Sequence, residues 1–338
     1  MANVLCRHST VRLNEEKVTY ELNPYNILNQ MERLRSMSPN ANITIEVIGR
    51  TIEYKDIVLL KITKAKSDVG KYYRATDSKY VDEIPEKKII FIVHGLAVMG
   101  IHDIYCLSNE NKFRQLVSYY LSHLDKFDIF LIPMANPDGY SLHSSEPNWN
   151  KNSSPLSPCL GVALDRNFDV AWNTSHGIST CSPHYPGSEP FSEAETRAIR
   201  DVFHRYSHKI IAYINVHGGS FNHEIFKGDA VLYPKGYTDV QSDDDKYIDL
   251  RGEIDEAIRN ASFKIMSVTV DSLNNWYGKI QGSSVDYAST VYGIPYALEF
   301  VMQPYSYETS NAALVEIWKR LIDVVFINIW KSIHNNDV

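Results

Sequence analysis

Histidines stand at two points where an apolar run breaks into glycine. In "IIFIVHGLAVMGIHD", Ile89 to Asp103, His94 closes the run and His102 follows the turn; in "YINVHGG", His217 closes a second run. A neutral imidazole at such a place is a ready zinc ligand, but a tetrahedral site needs its donor atoms about 2.0–2.2 Å from one point. His223 and Glu224 follow His217 closely enough to be recruited to the same site. A second cluster of charge lies in "LDRNFD", where Arg166 can form a buried ion pair with Asp165 or Asp169. Glu299, set in the apolar run "IPYALEFVM", is a third candidate, as an acid carried by a buried strand.

The elements that must hold these residues follow from periodicity. Alternation in "ITIEVIG" and "IEYKDIVLLKITK" predicts paired strands, and "KIIFIV", "FDIFLIPMANP", "KIIAYINVH" and "IPYALEFVM" predict buried ones. Between them lie helical patterns: "YNILNQMERLRSM" from Tyr25, "NKFRQLVSYYLSHL", a helix from Tyr247 to about Lys264, and a closing helix through Leu314, Trp318, Leu321 and Val325. Ser192 with Glu195 three residues on has the spacing of a capping box and predicts a helix start. The stretch from Asp138 to Pro190 reads as a long irregular region and "QGSSVDY" as a loop. Alternating strands and helices without repeats or linkers predict one α/β domain, a mixed and largely parallel twisted sheet with helices on both faces. Its bounds are 25–335, after an N-terminal extension 1–24. In such sheets sites lie beyond the carboxyl ends of the strands.

A net charge of −7 without a lysine or arginine cluster leaves no footprint for nucleic acid or an anionic membrane surface, and no apolar run approaches the length of a bilayer span. Four cysteines and no CxxC pair exclude zinc-finger chemistry. Sequons at Asn42, Asn152, Asn173 and Asn260 favour a secreted protein, whereas the opening "MANVLCRHSTVRLNEEK" lacks an apolar leader. The two are reconciled either by a true N-terminus further upstream or by a cytosolic chain with unused sequons.

Six phrases occur in an order that resembles the zinc carboxypeptidases of the carboxypeptidase A type, the M14 peptidases: "NPDGY", "CLGVALDRNFD", "GSEPFSEAETRAIRD", "VLYPKGY", "GSSVDYA" and "GIPYA". The likeness runs from about Tyr25 to Ile333. It implies a carboxypeptidase fold and proteolysis by zinc held between a His-x-x-Glu pair and a distant histidine, with an arginine gripping the substrate's terminal carboxylate. Aligned without a gap, Ala97 stands at that first histidine and Gly100 at the glutamate, so the zinc site is degenerate and His217 is its remnant. Val301 takes the place of the general-base glutamate. Glu299, two residues upstream on the same strand face and ~6.6 Å away, is then a displaced base or an acid in the pocket floor.

The resemblance also puts Asn150 and Met99 where the family has arginines, Arg166 on the carboxylate grip with Asp165 in place of an asparagine, and Tyr277 on a mobile tyrosine that closes over substrate. Val285 falls where side-chain preference is set, toward an apolar C-terminal residue, and Cys159 and Cys181 on a disulfide worth about 3 kcal/mol if formed. The resulting expectation is a pseudoenzyme without cofactor that binds peptide or protein C-termini. One alternative is a working zinc carboxypeptidase for C-terminal apolar residues, its metal site rebuilt around His217 from His94, His102, His223 or Glu224. Another is a protein-interaction scaffold.

Overall fold

Alternating and continuous apolar runs build the sheet as the sequence predicts: β1 (Ala41–Arg50), β2 (Asp56–Lys64), β3 (Ile89–His94), β4 (Asp128–Ile132), β5 (Ile210–Gly218) and β8 (Tyr296–Met302), joined by β6 (Asp229–Tyr233) and β7 (Val268–Ser272). The computed structural model describes residues 35, 38, 40–65, 87–98, 117–143, 146, 149–172, 177–218, 229–240, 245–260, 268–302 and 308–335. The extension 1–24 and the helical pattern from Tyr25 lie outside them. The strand order is β1-β2-β4-β3-β5-β8-β6-β7. The four central strands β4, β3, β5 and β8 run parallel, and antiparallel pairs flank them.

Side-chain alternation sends each strand's residues into one of two cores. Ile90 and Ile92, Ala212, Ile214 and Val216, and Leu298 and Phe300 share one core with α3 (Asp245–Asn260) and the closing helix α6 (Glu308–Asn335). Phe91, Val93, Tyr213, Ala297 and Val301 face the other, covered by α2 (Ala194–Tyr206) and α5 (Ser284–Thr290). Helices therefore lie on both faces, and even and odd positions of β3, β5 and β8 look at different neighbours.

Three local expectations are corrected. Residues of "QGSSVDY" are not all loop, because Ser284–Tyr287 open α5, whose N-cap Ser283 accepts from the Val285 amide. "NPDGY" belongs to a short helix, α1 (Pro137–His143), within the region read as irregular. Ser192 is not an N-cap: Glu193 holds that position with no side-chain cap, while the Ser192 hydroxyl donates to Glu193 Oε1 at 2.7 Å. The sequence signal was real but local, and a tertiary demand redirected the hydroxyl: Asn167 Nδ2 donates to it at 3.0 Å.

The long segment between β4 and α2 is pinned by side chains that stand in for a backbone ladder. Asn167, 0% exposed, donates to the carbonyls of Pro186 (2.7 Å) and Glu189 (3.0 Å) and accepts from the Thr196 hydroxyl (2.7 Å). Asn152, one of the sequon residues and 1% exposed, donates to Glu193 Oε2 at 2.7 Å, so its amide is committed to the fold. The Cys159–Cys181 disulfide closes the loop between them.

At the inner end of this segment Gly282 has φ +69° and lies against the Arg166 backbone, where an added Cβ would meet Arg166 O at 2.1 Å. Gly282→Ala is expected to destabilise the protein by about 2–4 kcal/mol, from strained φ together with backbone overlap, measured by urea unfolding. A loss no larger than that of an exposed Gly→Ala control would show that the contact carries no weight.

Candidate functional site

The site grows from the parallel register of β5 and β8. Asn215 pairs with Glu299 and His217 with Val301, and Asn215, His217 and Glu299 all point to the face opposite the α3–α6 core. His217 Nε2 lies 2.9 Å from Glu299 Oε1, and His217 Nδ1 lies 2.7 Å from the carbonyl oxygen of Gly218. A carbonyl and a carboxylate only accept, so both ring nitrogens must donate and the ring is satisfied as an imidazolium. Burial alone would push the pKa of His217 down, but the charge and hydrogen bond of Glu299 outweigh it, and the pKa is raised from 6.5. Glu299, 1% exposed, is likewise pushed up by burial and pulled further down by His217, Tyr277 and Arg166, for a net lowering from 4.5.

A short helix, α4 (Leu273–Tyr277), capped by Ser272, carries Tyr277 over this pair. Its hydroxyl donates to Glu299 Oε1 at 2.5 Å and lies 3.4 Å from His217 Nε2, and its ring sits 5.9 Å beneath the Arg166 guanidinium. Arg166 ends the 3-10 turn Leu164–Arg166 and stays close to Asp165, Nη1 to Oδ2 at 3.5 Å. Asp165 accepts from the Ser284 amide at 2.8 Å and from Asn215 Nδ2 at 3.5 Å; burial, then the charge of Glu299, raises its pKa to about 6. Asp286 accepts from the Gly236 amide with both oxygens, at 3.0 and 2.9 Å, and burial raises its pKa to about 7.

Several sequence candidates are thus brought together: His217, Glu299, Tyr277, Arg166 and Asp165. Others are not. His94 has the parity of Ile90 and Ile92, so it faces the α3–α6 core; its Nε2 lies 3.1 Å from the Tyr120 hydroxyl, and burial holds its pKa at about 3. A sheet separates it from His217, which removes it as a substitute ligand. Val285 is fully buried in the second core. Asn150 Oδ1 accepts from the Val98 amide at 3.1 Å and so ties down the turn that carries Ala97. Met99, Gly100, His102, His223 and Glu224 lie outside the described residues.

The fit of zinc can be tested on the ring itself. A ligand nitrogen must offer a lone pair, and both nitrogens of His217 are committed as donors to protein oxygens. Among the described residues no three His, Cys, Asp or Glu side chains converge as a metal site. The described residues therefore fit a buried ion pair and do not fit tetrahedral zinc. Sequence reasoning missed the pairing of Glu299 with His217, although adjacent strands with matched parity would have signalled it. It also missed Asn215, which shares the face of His217 two residues upstream.

The comparisons agree with this architecture. The zinc carboxypeptidase family profile matches residues 27–322. Carboxypeptidase B of Helicoverpa zea is 30% identical over 322 residues, covering 85% of this chain and 70% of its own length. The inactive metallocarboxypeptidase ECM14 of Saccharomyces cerevisiae is 28% identical over 265 residues, 72% of this chain and 55% of its own. Among solved structures, carboxypeptidase A from Helicoverpa armigera superposes with a TM-score of 0.69 at 19% identity, covering 91% of this chain and 73% of that one. Bovine thrombin-activatable fibrinolysis inhibitor, in complex with tick carboxypeptidase inhibitor, gives 0.67 at 23%, covering 90% and 97%. The two superpositions show the same fold.

The pair sets a pH dependence. The raised pKa of His217 contributes stability that is complete below about 6.5 and is lost as pH rises through the folded value; the lowered pKa of Glu299 contributes stability that is complete above about 4.5 and is lost as pH falls. The pair is at full strength between those limits. Asp165 and Asp286, whose pKa values are raised from 3.8 to about 6 and about 7, subtract stability as pH rises through those ranges, so their loss begins inside the pair's window and is complete by about pH 7. The melting temperature is expected to fall from pH 6 to pH 8.5, and Glu299→Gln, at a cost of up to about 3–5 kcal/mol, to flatten that fall. An equally steep fall in the variant would place the titrating groups elsewhere.

Proposed function

The chain belongs to the zinc carboxypeptidase family, and from that membership we propose that it is a pseudopeptidase, a member that keeps the cleft and binds peptide C-termini without zinc and without hydrolysis. The observation that carries the reading is the imidazolium of His217, held by Glu299 and Gly218 where a metal ligand would need a free nitrogen. Ala97 offers a methyl group in place of a ligand. Asn150, an uncharged amide, spends its oxygen on Val98; a lost electrostatic stabiliser of this kind typically costs about 2.7–4 kcal/mol in the transition state. The family resemblance to a yeast relative named inactive supports the same reading.

Binding would rest on Arg166. Its side chain is 17% exposed, and its competitor Asp165, with a pKa near 6, loses charge as the solution turns mildly acid. A peptide carboxylate can then take the guanidinium as a bidentate partner, with Tyr277 stacked beneath it. Glu299 is in this reading neither a displaced base nor idle: it neutralises the imidazolium and anchors the Tyr277 hydroxyl. The paired cysteines and the sequon at Asn42, exposed on β1, favour a secreted protein.

The active reading, favoured by the carboxypeptidase B relative, makes the opposite forecast for metal. Purified full-length protein dialysed against zinc and then buffer is expected to retain well under about 0.1 zinc per chain by atomic absorption, because one committed imidazole supplies no useful affinity. About one zinc per chain, lost in His217→Ala, would establish the active reading instead. Binding of a peptide with a free C-terminus is expected to persist in chelator and to weaken about tenfold or more in Arg166→Met, measured by calorimetry. Binding unchanged in that variant would remove Arg166 from the reading.

A further inference from the structure

On the α3–α6 face, behind the sheet from the cleft, a groove of about 430 Å³ runs between the two helices. One wall is the α3 face bearing Asp249, Glu253 and Glu256, spaced i, i+4 and i+7 and so aligned over ~10 Å. The other wall is α6, with Asn328 and Lys331. Lys331 Nζ pairs with Glu253 Oε1 at 3.1 Å, a contact whose side chains are 57% and 35% exposed and which is cheap to exchange. Asp249 and Glu256, one on either side of that pair along α3, leave the groove net negative.

Two further features are independent of the acids. Asn328 is 7% exposed, and its Oδ1 is a buried acceptor without a hydrogen-bond partner among the described residues, on a side chain that lines the groove. Such an acceptor costs free energy until a donor reaches it. Gly252, between the acids, is a glycine in the interior of a helix, which disfavours the helix by about 1 kcal/mol against alanine. No packing among the described residues explains it, since none of their atoms stands within 4 Å of where its Cβ would be. It leaves α3 bare at the centre of the groove, where another main chain can approach. The local field is visible at Tyr296 next door: burial, and against the Ser332 hydrogen bond the charges of Asp249 and Glu253, raise the pKa of its phenol.

We propose that this groove is a docking site for an arginine-bearing segment of a partner polypeptide, its guanidinium set between the α3 carboxylates and Asn328 Oδ1. A guanidinium brings five N–H donors in a planar fork, enough to serve two carboxylates and an amide oxygen together. A bare cation fits less well: no three acidic or histidine side chains converge on one point among the described residues, and the volume is in the range of sites for organic groups, about 300–1,000 Å³. The exposed Ile248 at the rim, 66% exposed, offers an apolar surface for the methylene stem. The proposal is independent of the cleft, from which the sheet separates it.

The test uses full-length protein and the peptide acetyl-Ser-Gly-Arg-Gly-Arg-Gly-Ser-amide, blocked at both ends so that no terminal carboxylate can engage Arg166. Calorimetry is expected to show binding that weakens about tenfold or more in Gly252→Leu, which fills the groove from open space and favours the helix, and likewise in Asn328→Leu. The same peptide with citrulline for arginine is expected to lose binding to a similar degree. No heat at millimolar peptide, equal affinity of Gly252→Leu and wild type, or equal affinity for the citrulline peptide would each overturn the proposal. So would loss of binding in Arg166→Met, because that would put the peptide in the cleft.

Discussion

A buried imidazolium held between two acceptors is the constraint on which the site depends. Once β5 delivers His217 to a place where its own chain's Gly218 carbonyl and the Glu299 carboxylate both accept, the charge state of the ring is decided by hydrogen-bond arithmetic. That charge holds Glu299 ionised in the interior, and the ionised carboxylate in turn fixes the Tyr277 hydroxyl. Removing either member would strand a charge away from water, the costly way to break such a pair.

The scaffold supplies this geometry with few degrees of freedom. Glu299 meets His217 because two adjacent parallel strands keep their side chains in phase, the two residues lying diagonally, two positions apart in the ladder, on the same face. Arg166 is placed differently, from a segment without regular pairing, and its position is inherited from Asn167 and from the close contact with Gly282. A sheet and a loop thus each bring a cation and a carboxyl group to one small volume, and each is stiffened by a different device.

Much of the fold was legible because its signals are local or periodic. The alternation in "ITIEVIG" and the apolar run "KIIAYINVH" became strands, and the family phrases located Arg166, His217, Tyr277 and the paired cysteines. What could not be read depended on contacts between distant parts of the chain. Ser192 has a capping-box spacing, yet Asn167 and Glu193 claim its hydroxyl. β7 and α4 are only five residues each and too short to show a period. His94 looked like a ligand candidate from its neighbours in sequence, but strand parity aims it at Tyr120. Glu299 stayed open between a displaced base and an acid in the pocket floor, since its partner His217 comes from a different strand and shows only when the two strands are read together.

The doubly engaged ring of His217 also bears on how such a chain can change over evolutionary time. An imidazole placed at position 97 would meet a ring with no lone pair to share, and removal of Glu299 alone would strip the counter-charge from that ring. The two members of the pair are therefore coupled, and a change at either is felt as an uncompensated charge at the other.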